Sequence, residues 1–231
     1  MRSPWLPRLL LGAGAVGLLA AIVSLSVGEG GPKVIKISGG DQVQQLVGGI
    51  QQDGASLGPP DAAVTINVFN DLQCAGCDDY ELDTVDPLIE EYARTGKARL
   101  EFRHYSLGEA ETTKAAHAAT AAGAQDREWQ FIELFFRNQD EAPAHTVSDE
   151  FLDDIGNAIP DLDLDAWRQA RDSSEVAARV EADAKLAADL GLRAGGPAVV
   201  VEGPGSAEPQ VLQDSPSKQR IDAAVAQAEA S

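Results

Sequence analysis

Val64-Thr65-Ile66-Asn67-Val68-Phe69, then Asn70-Asp71-Leu72-Gln73, then Cys74-Ala75-Gly76-Cys77: read in order, these residues predict a strand, a short turn and two cysteines at the start of a helix. The first run alternates and is rich in β-branched side chains, as a strand requires. Behind Cys77, the apolar residues Leu82, Val85, Leu88, Ile89 and Tyr92 recur at helical spacing. A helix is therefore expected over about 74–95, kinked at Pro87, which lacks a backbone donor, and ended at Gly96. The first turn of a helix presents unpaired N–H groups and about half a positive charge, which favours a thiolate over a thiol. Only the thiolate attacks a disulfide. A mixed disulfide formed at Cys74 can then be resolved by Cys77, three residues further on.

These are the only two cysteines in 231 residues. A zinc site needs about four ligands, and His104, His117 and His145 are not spaced to complete one with Cys74 and Cys77. A purely structural disulfide across so small a loop gains little, because the entropic benefit falls with loop length. A redox pair is the preferred reading, with zinc and a structural disulfide as its alternatives, and no metal or other cofactor is expected.

Residues 9–27 carry no charge and follow Arg2 and Arg8. That length is close to the ~20 residues that span a bilayer, and the arginines would stay on the cytoplasmic side. The expectation is a single-pass membrane anchor over residues 1–28 with the remainder extracytoplasmic. The alternative is a signal peptide cleaved near Ser24-Leu25-Ser26, leaving a secreted or periplasmic protein. Either way the cysteines face a compartment in which disulfides persist. The formal charge is −19, and of the charged residues only Arg2, Arg8 and Glu29 lie before residue 32. So acidic a surface argues against nucleic acid as a partner.

Residues 29–58 are rich in glycine with short apolar pieces, Val34 to Ile37 and Val47 to Ile50, and read as a stalk with room for a β-hairpin. Residues 59–231 are long enough for one domain with a proper core. Ala98 to Tyr105 alternates and predicts a second strand. From about 108 to 190 the pattern turns helical, through Ala115 to Ala122, Glu128 to Asn138, Leu152 and Ile155, Asp165 to Arg171, and Ser174 to Leu190. The stripe of Trp129, Phe135 and Phe136 is read as core of this helical part. The strand period returns at Ala198 to Glu202, the turn Gly203-Pro204-Gly205 and Gln210 to Leu212, and Ser217 opens a closing helix with Ile221 and Val225 on its inner face.

This order of elements resembles that of the DsbA-like thioredoxin-fold thiol:disulfide oxidoreductases. Asn70-Asp71-Leu72-Gln73-Cys74-Ala75-Gly76-Cys77 resembles the family's active-site segment, Phe102-Arg103-His104-Tyr105-Ser106-Leu107 its second-strand exit, and Gly195-Gly196-Pro197 its cis-proline loop. The similarity covers about residues 47–228. It implies an α/β, thioredoxin-like fold with an inserted α-helical subdomain, here preceded by a transmembrane helix. It also implies Cys74 as attacking thiolate, Cys77 as resolving cysteine, Pro197 in the cis form beside them, and Gly196 as a backbone site for a substrate strand. Asp71 and His104 are candidates for proton transfer, against the plainer readings of a helix-entrance cap and an ordinary strand histidine. Ala75-Gly76 and the Asp78 and Asp79 that follow depart from the family's usual residues, which points to a weaker oxidant, and Gly196 departs as well, which leaves the groove open. The implied function is exchange of the Cys74–Cys77 disulfide with cysteines of exported proteins, in the oxidising direction, with a membrane redox partner. A membrane-anchored reductase, serving for example cytochrome maturation, and a non-catalytic chaperone are the alternatives.

Overall fold

The computed structural model describes residues 36–230 apart from residue 75, 106–109, 142–146 and 194–195. The expected anchor over residues 9–27 lies outside the described residues. Among those described, no helix is long and apolar enough to cross a membrane.

A six-stranded sheet in the order β1-β2-β4-β3-β5-β6 organises the chain. Its centre is β3 (Val64–Asn70), parallel to β4 (Ala98–His104) and antiparallel to β5 (Ala198–Glu202). Val64, Ile66, Val68 and Phe69 are fully buried, because a strand in mid-sheet is covered on both faces. β6 (Gln210–Leu212) closes one edge against β5.

On the other edge, the stretch expected as a stalk is built into the domain from residue 40. α1 (Gly40–Val47) buries Val43, Leu46 and Val47. The hairpin β1 (Gln52–Asp53) and β2 (Ser56–Leu57) then joins β4, with Ser56 opposite Glu101 and Leu57 opposite Leu100. The physical reason is a matching partner for each: Arg94 Nη2 donates to the carbonyls of Gln45 and Leu46 at the end of α1, and Trp129 Nε1 donates to the Ala55 carbonyl in the hairpin turn at 2.8 Å.

The helical segment over 77–93 connects β3 to β4. It comprises α2 (Cys77–Tyr80), a π-wound stretch Glu81–Val85, α3 (Asp86–Leu88) and a second π stretch Ile89–Ala93. Pro87 lies between the two π stretches, so the missing donor is accommodated by wider winding on either side. Gly96, at φ 76°, ends the segment where a side chain would strain the backbone.

Between β4 and β5 run α4 (Ala110–Gly123), α5 (Glu128–Arg137), α6 (Asp149–Asn157), α7 (Leu164–Arg171) and α8 (Ser174–Asp189), where the inserted helical subdomain is expected. Ser148, Asp163 and Ser173 cap α6, α7 and α8 with side-chain oxygens. α5 is the hub: Trp129, Phe135 and Phe136 are buried as core, and Trp129 meets Phe102 of β4 edge to face at 6.0 Å. α9 (Lys218–Glu229) packs Ile221 and Val225 into the same core.

Candidate active site

The turn behind β3 is built from local hydrogen bonds. Asp71 Oδ1 accepts from the Gln73 N–H at 2.9 Å, and the Asp71 carbonyl accepts from the Cys74 N–H at 3.1 Å. This is an aspartate capping its own turn. Gly76, at φ 81°, is the residue before the helix, and Cys77 is its first member. Cys74 and Cys77 are joined in a disulfide with their Cα atoms 5.4 Å apart. Cys77 is 2% exposed, whereas Cys74 is half-buried at the rim. Of the two cysteines, Cys74 is thus the more accessible to an incoming thiol or disulfide.

The sheet register brings the other expected residues to the same end of β3. Phe69 lies opposite Ala198 in the antiparallel pair, so Pro197 comes next to Asn70, where the active-site turn begins. No peptide bond among the described residues is cis, so the expectation of a cis Pro197 is corrected: Gly196–Pro197 is trans. The trans form of an X–Pro bond is favoured by about 0.5–1 kcal/mol, and the Pro197 carbonyl accepts from the Ser215 N–H at 2.9 Å. Gly196 is half-buried, and a Cβ there would stand 3.2 Å from Ser215 Oγ.

His104 lies opposite Asn70 on the other side, at the end of β4. Its ring is turned to α5, where Nε2 is 3.0 Å from Glu128 Oε1, and its backbone N–H donates to Asp183. Those partners tie His104 to the helical part. His117 is half-buried, with its pKa lowered by burial and by the neighbouring His104, and His145 lies outside the described residues.

Two polar residues absent from the sequence expectations complete the site. Glu81 lies four residues after Cys77, fully buried, with Oε2 accepting from Asn70 Nδ2 at 2.9 Å. Burial, with the Asp86 charge adding to it, outweighs the Asn70 hydrogen bond and pushes the Glu81 carboxyl up to about 8. Beneath it, Arg137 of α5 binds Asp86 and Glu133, and burial likewise raises both of these carboxyls. The second residue is Gln139, just after α5, whose Nε2 donates to the carbonyls of Leu72 at 2.9 Å and Cys74 at 3.1 Å. Glu81 was visible in the helical phase of Cys77, Glu81, Val85 and Leu88; nothing local marks Gln139. Among the described residues no group of three or more His, Cys, Asp or Glu is arranged to hold a metal ion.

The thioredoxin family profile matches residues 51–216. The chain belongs to the thioredoxin family. Among curated relatives of this thioredoxin-family protein is the probable disulfide bond formation protein D of Bacillus anthracis, 28% identical over 151 residues, which are 64% of this chain and 69% of the relative. Its Bacillus cereus counterpart is 27% identical over the same shares of both chains. Solved structures with the same fold include alpha-DsbA1 of Wolbachia pipientis, at a TM-score of 0.62 and 21% identity over 75% of this chain and 89% of that one. Oxidised BdbD from Bacillus subtilis matches at a TM-score of 0.62 and 19% identity, over 78% of this chain and 96% of that one. With its paired Cys74 and Cys77 at a helix start, the chain is a DsbA-like thiol:disulfide oxidoreductase.

Proposed function

We propose that the protein is a disulfide donor, transferring its Cys74–Cys77 bond to pairs of cysteines in exported proteins. The observation that carries this reading is the disulfide itself, closed across the start of the helix with Cys74 at the rim and Cys77 behind it. A substrate thiolate attacks Cys74 Sγ, the Cys74–Cys77 bond breaks, and Cys77 leaves as a thiolate that takes up a proton. The second substrate thiolate then attacks the first substrate sulfur in the mixed disulfide, forming the substrate disulfide and releasing Cys74 as a thiolate. The substrate has lost two electrons and the protein has gained them. Glu81, one helical turn beyond Cys77 and with its carboxyl pushed up to about 8 by burial, is proposed to supply the proton. The disulfide bond formation proteins among the relatives support the oxidising direction.

Mixing the oxidised protein with a reduced two-cysteine peptide tests the proposal, with Cys74→Ser as control. The wild type should oxidise the peptide stoichiometrically and the variant should not. A reduction potential near that of a cytosolic reductant, about −270 mV, with no net peptide oxidation, would overturn the direction and favour the reductase. Residues 9–27 are further proposed to hold the domain outside the cytoplasmic membrane, where a membrane redox partner would reoxidise it. Protease added to intact spheroplasts should degrade the domain, and its recovery in the medium instead would favour the cleaved form.

A further inference from the structure

We propose that Gln139 is a positioning residue for Cys74, holding the reactive sulfur at the mouth of the helix while the disulfide is open. This rests on the oxidoreductase reading above. Cys74 stands outside the helix, beyond Gly76, so the helix itself does not fix it. In the oxidised protein the bond to Cys77 does so. When that bond is reduced, the backbone ties that the structure shows at Cys74 are its N–H to the Asp71 carbonyl at 3.1 Å and its carbonyl to the Cys77 N–H at 3.2 Å. Gln139 adds to them from another element. Its Nε2 bridges the carbonyls of Leu72 and Cys74, which fixes the turn on both sides of Gln73.

The base of the bridge is itself held. Asn138, 1% exposed, accepts from the backbone N–H and hydroxyl of Ser38 and donates to the carbonyls of Ser38 and Leu134. Gln139 therefore leaves a rigid end of α5, as a supporting side chain must if it is to hold a reacting group in place. A tie that is redundant when the disulfide is closed and needed when it is open stabilises the reduced form preferentially. It keeps the Cys74 thiolate near the positive end of the helix and so lowers its pKa and raises the reduction potential.

The test equilibrates the full chain with glutathione, in which two glutathione thiols are oxidised to glutathione disulfide as the Cys74–Cys77 bond takes up two electrons and two protons. Gln139→Met removes the donor at nearly constant length, and Gln139→Ala removes donor and packing together. Both should shift the equilibrium toward the oxidised protein by about 3- to 10-fold, the worth of a hydrogen bond or two of ordinary strength. Both should also raise the Cys74 pKa, titrated by thiolate absorbance in a Cys77→Ala background, and lower the melting temperature of the reduced form more than that of the oxidised form. Equal destabilisation of the two forms at an unchanged equilibrium would show a merely structural side chain and overturn the role, as would a Gln139→Met protein that matches the wild type. Should both fail to fold, Gln139→Asn, which draws the amide back by one carbon, must show the same direction. A wild-type disulfide inert to glutathione would overturn the oxidoreductase reading itself, whereas normal exchange in the wild type with an unmoved Gln139→Met overturns Gln139 alone.

Discussion

Asn70, the last residue of β3, donates from Nδ2 to Glu81 Oε2 at 2.9 Å, while Glu81 Oε1 is buried with no hydrogen-bond partner among the described residues. A carboxyl so placed is more comfortable neutral than charged. Its pKa is raised from 4.5 to about 8 on folding, so the stability it contributes is complete below about pH 4.5 and is lost as pH rises through about 8. The melting temperature should therefore fall between pH 5 and pH 8, and Glu81→Gln should reduce that slope. Glu133 and Asp86, raised by burial as well, act in the same direction and leave part of it. An undiminished slope in Glu81→Gln would show that Glu81 does not titrate in this range.

In the reduced protein, Cys74 should alkylate first. Its half-buried sulfur is reachable, whereas Cys77 is 2% exposed. Its pKa should lie below the free value of about 8.5 and above the ~3.5 of the strongest oxidants, since the dipeptide between the cysteines is uncharged and Asp78 and Asp79 follow in the first turn. Mass mapping of iodoacetamide adducts over time checks the order, and equal rates at the two sites would refute it.

His104→Ala should cost about 1–3 kcal/mol in denaturant unfolding, because it strips the partner from the buried Glu128 carboxyl. The rate of disulfide exchange should stay at the wild-type value. Slower exchange in a fully stable variant would return His104 to the proton path.

Gly196→Thr should fold normally. Among the described residues, the added Cβ meets the tip of Ser215, which can turn aside. Oxidation of peptides with bulky residues beside the cysteine should slow relative to small ones. Equal slowing across a peptide panel, or none, would remove Gly196 from the substrate groove.

β3, β4, β5 and the helix behind Cys77 were legible because each carries its own period: alternation in Val64 to Phe69 and Ala98 to His104, and helical spacing from Leu82 to Tyr92. α1 was not. Its apolar residues, Val43, Leu46 and Val47, sit among glycines, and the helix is secured by Arg94, nearly fifty residues away in sequence. At the site, the cysteines announced themselves by spacing, and Asp71 was readable as a cap. The isomer of Pro197 was not readable, because a difference of about 0.5–1 kcal/mol is decided by the surrounding loop. Gln139 was beyond reach for a related reason: its contact with Cys74 spans 65 residues and exists only once α5 is packed.

The sheet ends on each side in a strand too short to recruit another. β1 spans two residues and β6 three, so an extended chain arriving at either rim finds few free backbone groups to pair with. For a protein proposed to meet exported chains whose cysteines are still unpaired, that brevity is protective. It denies a client, or a second copy of the same molecule, a template along the margins, and leaves the turn around Cys74 as the place where staying bound leads to chemistry.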